Sequence, residues 1–116
     1  DLLGEATSNV PGLAGMSILY NNAGTAELYN RNPDIALIRY KEGLDYARAN
    51  NRPAQRIGLM GNIIITESLL GIKHDSQYFI RGFNDIINMP NTRNLPFIQA
   101  NGMMNFLASA IFEKKF

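Results

Sequence analysis

Side chains that commonly carry out catalysis or bind metal ions are sparse in this sequence. There is one histidine, His74, beside Asp75, and there is no cysteine. A metal site needs several such ligands, and no second histidine or cysteine is present to complete one. We interpret His74 as a surface turn residue or a helix cap, and we expect no metal, no cofactor and no enzymatic activity.

Two other patterns are weak candidates for chemistry. Glu27 and Glu67 recur at the same place in two similar segments, but equivalent positions of packed helices lie about 10 Å apart, so we expect no shared proton. The segments Gly12 to Gly15 and Gly58 to Gly61 lack the Gly-Lys-Ser/Thr ending of a phosphate loop and follow no strand. Close helix packing explains these glycines better.

Length and composition are typical of one ordinary soluble domain. The chain has 116 residues, of which 46% are hydrophobic and 18% charged, with a net charge of +1. This is too apolar for a disordered chain. The most apolar stretch, 57–72, contains polar residues and is shorter than the roughly 20 residues of a membrane span, so we expect no membrane contact.

Net charge and cysteine content indicate which partners and which cellular compartment to expect. A small net charge gives no broad basic field, and Lys114 and Lys115 beside Glu113 form too short a run, so we expect no nucleic-acid binding by this segment. The lack of cysteine fits a reducing compartment, from which we predict a cytoplasmic location. Because the chain starts at Asp1 without a signal pattern, we expect an excised fragment of a longer protein.

Proline, glycine and capping residues divide the chain into five predicted helices. The clearest start is Asn32-Pro33-Asp34, where Asn32 is expected to cap the helix and Pro33 to open it. Ile63, Ile64 and Ile65 favour a strand by local propensity, but we predict helix because no partner strand is evident. The predicted helices cover 12–29, 33–49, 53 to about 71, from 74 or 75 up to an end at Pro90, and from Leu95-Pro96 to Glu113 or beyond.

Comparison of the chain with itself indicates a repeat of about 40 residues. Helix boundaries coincide at this offset, and a third unit begins at a slightly longer offset that places Asn105 opposite Asn62. The predicted units are 15–50, 53–89 and a partial third unit, 95–116. The pairs that align include Asn22 with Asn62, Glu27 with Glu67, Ala36 with Ser76, and Tyr40 with Ile80.

The first unit resembles the tetratricopeptide repeat (TPR), whose pattern is an aromatic residue, a small pair, a later alanine and a second aromatic residue. Tyr20, Ala23, Gly24, Ala36 and Tyr40 match this pattern in order. Gly24 and Ala36 are the small residues expected where the two helices cross, and Tyr40 is expected to fill the space beside them. The second unit departs from the pattern at Ile64, Ser76 and Phe83.

The spacing of about 40 residues is similar to the longer-helix TPR variety of bacterial transcriptional activators and signalling proteins. The resemblance implies an all-α domain over 1–116, built of antiparallel helix pairs stacked into a short right-handed solenoid of about two and a half repeats. Such a solenoid presents its first helices along a concave face. The resemblance also implies that this face binds a protein or an extended peptide.

Asparagine is unfavourable inside helices, so its recurrence at Asn22, Asn62 and Asn105 calls for an explanation. Its amide suits the backbone of a bound peptide, as in TPR proteins that use asparagine there; bonds between neighbouring helices are the alternative. Other residues expected on the concave face are Ile18, Thr25, Tyr29, Gly58, Ile65, Leu69, Asn101, Ala108 and Phe112. Phe112 and Phe116 could instead form the surface that a further helix covers.

We therefore predict a non-catalytic module that binds a protein or peptide, belonging to a larger bacterial regulator whose DNA-binding region lies elsewhere. The alternative is a structural module that stacks on copies of itself through its exposed repeat ends. A third possibility is a helical fragment of an enzyme whose catalytic residues lie outside these 116 residues.

Overall fold

The computed structural model describes residues 15–89 and 95–113, which form five α-helices and no strand. This confirms the all-α class. Residues 12–14 and Pro90, which the sequence places at helix ends, lie outside the described residues. The helices are α1 (Met16–Tyr29), α2 (Pro33–Ala49), α3 (Pro53–Leu69), α4 (Ser76–Ile87) and α5 (Leu95–Glu113).

Helix starts follow the predicted signals with one exception. Pro33 and Pro53 open α2 and α3, and Asp75 caps α4 by accepting a hydrogen bond from the backbone N–H of Tyr78 at 2.9 Å. The predicted side-chain cap by Asn32 is wrong, because no such bond is made. The Asn32 amide instead donates to the Glu27 carboxylate at 3.0 Å, which ties the turn back to α1.

The isoleucine run is helical, as predicted. Ile63 and Ile64 are buried, whereas Ile65 is 39% exposed. In a strand, Ile63 and Ile65 would share one face and Ile64 the other. In α3 two of the three side chains enter the core, and tertiary packing therefore prevails over strand propensity.

Helices α1 and α2 form the tightest pair, for the reason that the sequence indicates. A Cβ atom on Gly24 would come within 2.7 Å of the Tyr40 ring, and Ala36 of α2 is fully buried. The contact with Tyr40 therefore needs glycine at position 24. Tyr20 stacks on Tyr46 in the same interface, where burial and then the nearby charge of Glu42 raise the pKa of Tyr20 above 10.0.

The second helix pair, α3 and α4, is more open than the first pair, α1 and α2. Helix α4 packs mainly on α5 rather than on α3, and α5 packs along α3 as well. At the positions equivalent to Gly24 and Ala36, this pair has Ile64 and Ser76, and Ile64 is fully buried in the core. Glycines in the second half lie where α5 meets α3 and α4: a Cβ atom on Gly82 of α4 would collide with the Phe106 ring of α5, and one on Gly102 of α5 would collide with Ile57 of α3.

The core runs through the middle of this arrangement. Its fully buried large side chains include Tyr40, Ile57, Leu59, Ile64 and Ile86, drawn from α2, α3 and α4. Gln99 donates a hydrogen bond to the carbonyl of Ile86 at 2.8 Å and joins α5 to the end of α4. None of the helices in the described ranges is long and apolar enough to cross a membrane.

Candidate functional site

Helices α1, α3 and α5 are the first helices of the three predicted units, and α3 lies between the other two. Gly58, Asn62, Ile65 and Leu69 follow one another at helical spacing and form one stripe along α3. We call this stripe, with the adjoining sides of α1 and α5, the groove face. It carries two depressions, one on each side of Asn62.

The first depression lies between α1 and α3. Its volume is about 240 Å³, and its lining includes Ile18, Asn21 and Gly58. Gly58 has no neighbouring atom within 4 Å of where a Cβ would lie, so it opens space here and does not serve close packing. The packing explanation of the pair Gly58 and Gly61 is therefore wrong for Gly58.

The second depression lies between α3 and α5. Its volume is about 360 Å³, and it is lined by Ile65, Ser68, Leu69, Ala108 and Ser109. Leu69 is 67% exposed and Ile65 is 39% exposed, so both present aliphatic surface to solvent. The structure thus brings together three residues that the sequence places on the concave face: Ile65, Leu69 and Ala108.

Polar contacts join α1 to α3 at the first depression, which Ser17, Asn21 and Gln55 help to line. Asn62 Nδ2 donates a hydrogen bond to Asn21 Oδ1 at 2.8 Å, and Ser17 Oγ donates to Gln55 Oε1 nearby. Sequence comparison pairs Asn62 with Asn22, yet Asn22 is exposed and Asn21 makes the contact. Asn21 and Asn62 are 41 positions apart, and Ser17 and Gln55 are 38 positions apart. The repeat comparison aligns residues about 40 positions apart, so it marks neither Asn21 nor Gln55.

The remaining predicted residues of α1 occupy different environments. Thr25 is half-buried, and its hydroxyl lies 2.9 Å from the Tyr40 hydroxyl and donates to the Asn21 carbonyl at 3.1 Å. It therefore serves the contact between α1 and α2. Tyr29 is 85% exposed at the end of α1 and lines neither depression.

In α5, Asn101 is exposed and Asn105 is half-buried. A Cβ atom on Gly61 would lie 2.6 Å from Asn105 Nδ2, so the asparagine packs directly on α3 where Gly61 leaves room. Asn105 therefore sits at a helix contact. Phe112 belongs to α5, but its side chain lies outside the described part of the chain.

A second polar cluster surrounds Glu67, which is only 7% exposed. Its Oε1 lies 3.2 Å from His74 Nε2 and accepts a hydrogen bond from the Tyr78 hydroxyl at 3.3 Å, while Oε2 lies 3.8 Å from Lys41 Nζ. His74 is thus more than the surface turn residue that the sequence indicates, because it stacks on Tyr78 and binds a buried carboxylate. This arrangement fixes the loop before α4 against α3.

The two recurring carboxylates have separate partners, since Glu27 binds Asn32 and Glu67 binds the cluster just described. In residues 15–89 and 95–113, no three histidine, aspartate or glutamate side chains are grouped so that they could hold a metal ion.

No family model matches this chain, and neither a curated protein nor a solved structure is significantly similar to it. The resemblance to the tetratricopeptide repeat therefore stays a prediction that depends on the residues from Tyr20 to Tyr40.

Proposed function

We propose that this chain is a TPR-like, non-catalytic segment of about two and a half repeats that binds an extended peptide of another protein along the groove face. The observation that carries the proposal is the alternation along α3: an open depression at Gly58, an amide at Asn62, and an aliphatic depression at Ile65 and Leu69. Extended peptides offer a matching alternation of side chains and backbone amides.

The dimensions of the groove face support a peptide of this kind. Gly58 and Leu69 are eleven residues apart in α3, which corresponds to about 16 Å along a helix axis. Four to five residues of an extended chain span a similar length, at about 3.3 Å per residue. A peptide with apolar side chains four positions apart would place one in each depression and its intervening backbone over Asn62.

The chemistry of Asn62 also supports the proposal. A primary amide has two donor hydrogens and one acceptor oxygen, and the bond to Asn21 uses one donor. Among the described residues the second donor and the carbonyl oxygen have no other partner, so they can serve a peptide backbone. Asn62 can therefore bind a neighbouring helix and a ligand at the same time. The two explanations of the recurring asparagines do not exclude each other at this residue.

The wider role belongs to the same proposal. The resemblance to TPR segments of bacterial activators favours a sensing or recruiting part of a larger regulator, with DNA binding outside these residues. A cytoplasmic location and the absence of nucleic-acid binding by this segment remain predictions from the cysteine content and net charge.

The direct test is a titration of the 15N-labelled 116-residue chain with pooled short peptides, followed by NMR. One pool carries apolar residues four positions apart, and the control pool contains the same residues in scrambled order. We expect saturable shifts at Ile18, Gly58, Ile65 and Leu69 with the first pool only. An absence of shifts with both pools, or equal shifts with both, contradicts the proposal.

A second candidate function, self-association, is favoured by the outer side of α5. This helix has no charged residue from Leu95 to Phe112, and Phe97, Met104 and Ile111 are 80%, 65% and 58% exposed. Exposed large apolar side chains grouped on one helix are typical of an interaction surface. Beside it lies an apolar depression of about 310 Å³, lined by Phe83, Met103, Met104 and Leu107.

A further inference from the structure

Two adjoining clefts lie at the open second helix pair and share no lining residue with the depressions of the groove face. The first, which we call the arginine cleft, has a volume of about 290 Å³ and is lined by Arg48, Arg52 and Arg56, with Met89 as part of its apolar wall. The second, the apolar cleft, has a volume of about 310 Å³. Arg48 lines both clefts and therefore marks their junction.

The apolar cleft exists because α4 leans on α5 and leaves a gap beside α2 and α3. Its lining includes Leu44, Met60, Ile63 and Phe106, and Arg81 stands at its edge. Each cleft is close to the lower end of the size range of small-molecule sites, and the two together lie well inside it. Sites of this kind are mostly apolar, with a few polar groups that orient the ligand.

Charge is distributed unevenly around the two clefts. Four arginines line them, against one carboxylate, that of Asp85. Asp85 is already engaged, since its two oxygens accept hydrogen bonds from Arg56 Nη2 at 2.7 and 2.9 Å. Within the described residues, Arg48, Arg52 and Arg81 form no ion pair, so the net field in the clefts favours an anion.

Arg56 provides a second, independent indication. Its bonds to Asp85 involve Nη2 alone, and its Nε is buried without a hydrogen-bond acceptor among the described residues. Buried donors in folded proteins are nearly always paired. Arg56 lines the arginine cleft, and its guanidinium, which has a donor left without an acceptor, is therefore suited to donate a hydrogen bond to an oxygen of a molecule bound there.

We propose that the two clefts together bind a small amphipathic carboxylate. Its carboxylate lies in the arginine cleft against Arg48, Arg52 and Arg56, because a guanidinium fork matches the two oxygens of that group. Its apolar body extends past Arg48 into the apolar cleft, over Met60 and Phe106. An aryl or short alkyl body fits this cleft, whereas a free inorganic anion would leave it unfilled.

The proposal is tested by titrating the full 116-residue chain with 4-phenylbutyrate, while the methyl resonances of Leu44, Met60 and Ile63 are recorded by NMR. The neutral analogue 4-phenylbutanol has the same apolar body without the charge. We expect saturable shifts at these three methyl-bearing residues with the acid, and at least tenfold weaker binding of the alcohol. Equal affinity for the two compounds, or no saturable binding of the acid, overturns the proposal.

Matched variants test whether binding of the acid depends on the arginines of the arginine cleft. The double variant Arg48→Gln, Arg52→Gln removes two exposed cations from the arginine cleft, and we expect it to weaken binding of the acid at least tenfold. Arg31→Gln with Lys73→Gln removes the same charge from exposed positions that line neither cleft, and we expect no change. Equal weakening in both double variants means a general charge effect and overturns the proposal.

Arg48→Gln alone repeats the test without altering the residue that precedes α3. We expect at least threefold weaker binding of the acid, and unchanged affinity in this variant contradicts the placement of the carboxylate. None of these measurements involves the groove face, so they stand or fail separately from the peptide proposal.

Discussion

Asn62 in α3 donates a hydrogen bond to Asn21 in α1, with 2.8 Å between Nδ2 and Oδ1. This contact joins the first helices of two predicted units at the centre of the groove face. Within the part of the chain that the structure describes, it leaves one donor and the oxygen of the Asn62 amide for a further partner. The same residue therefore contributes to the packing of the helices and to the surface that we propose binds a peptide.

The energetic contribution of this bond can be isolated by a double-mutant cycle. Asn21→Ala and Asn62→Ala should each lower the free energy of unfolding by about 1 kcal/mol, and the double variant by less than the sum, because each single variant leaves one amide without its partner. Urea denaturation of the four proteins measures this coupling. Strictly additive losses would show that the bond contributes nothing.

Asn22→Ala is the matched control for that cycle. Asn22 is exposed in the same helix, and alanine is the better helix former, so stability should rise by several tenths of a kcal/mol. A loss comparable to that of Asn21→Ala would mean that the repeat-equivalent asparagine has a structural role after all.

Glycine substitutions test the account of helix packing. Gly24→Ala places a methyl group 2.7 Å from the Tyr40 ring, which is 1% exposed and held by its hydroxyl contact with Thr25. We expect a loss of about 1 to 3 kcal/mol in the free energy of unfolding. Gly58→Ala, at a position with open space, should gain up to about 1 kcal/mol. Thermal unfolding of both variants, followed by circular dichroism, distinguishes this account from one in which the two glycines are equivalent.

These glycines also show how far the sequence predicts the fold. Pro33, Pro53 and Asp75 act locally, through a fixed dihedral angle or a short side chain, so helix starts can be recognised without tertiary information. Gly24 was recognised because it belongs to a repeat pattern. The openness of the second pair depends on how α5 packs on Gly82 of α4 and, at its own Gly102, on Ile57 of α3, which is a long-range property that no local signal encodes.

The groove face was predictable to a similar degree. Ile65, Leu69 and Ala108 lie in one depression because helical spacing places them on facing stripes. Asn21 was missed because a repeat offset aligns equivalent positions, whereas packed helices touch along a diagonal. The cluster of His74, Glu67 and Tyr78 was missed because it joins a loop to a helix and has no periodicity.

The Glu67 cluster should contribute substantially to stability. Glu67→Ala removes a buried acceptor shared by His74 and Tyr78 and should cost about 2 to 4 kcal/mol in the free energy of unfolding. Glu67→Gln keeps an acceptor for Tyr78 and should cost less. Glu42→Gln, whose partner Arg39 is partly exposed, should change stability by less than about 1 kcal/mol. Urea denaturation measures these losses. Equal losses in the free energy of unfolding for Glu67→Ala and Glu42→Gln would contradict the stabilising role of the Glu67 cluster.

Self-association through α5 predicts a concentration-dependent mass. Sedimentation equilibrium should then show a species heavier than one chain, and Met104→Glu should return it to the mass of one chain, because a charge would be buried in an apolar interface. Ile38→Glu, at a similarly exposed position of α2, is the control. A monomeric wild-type chain at high concentration excludes α5 as a self-association surface for this segment.

The most direct test of the central claim is the affinity of the peptide selected in the NMR titration for two aspartate variants. Leu69→Asp places a charge in the aliphatic depression of the groove face, whereas Ile38→Asp changes a side chain of comparable exposure on α2 that lines no depression described here. The account predicts at least tenfold weaker binding to Leu69→Asp and wild-type affinity for Ile38→Asp. Wild-type affinity for Leu69→Asp would show that the groove face is not where the peptide binds.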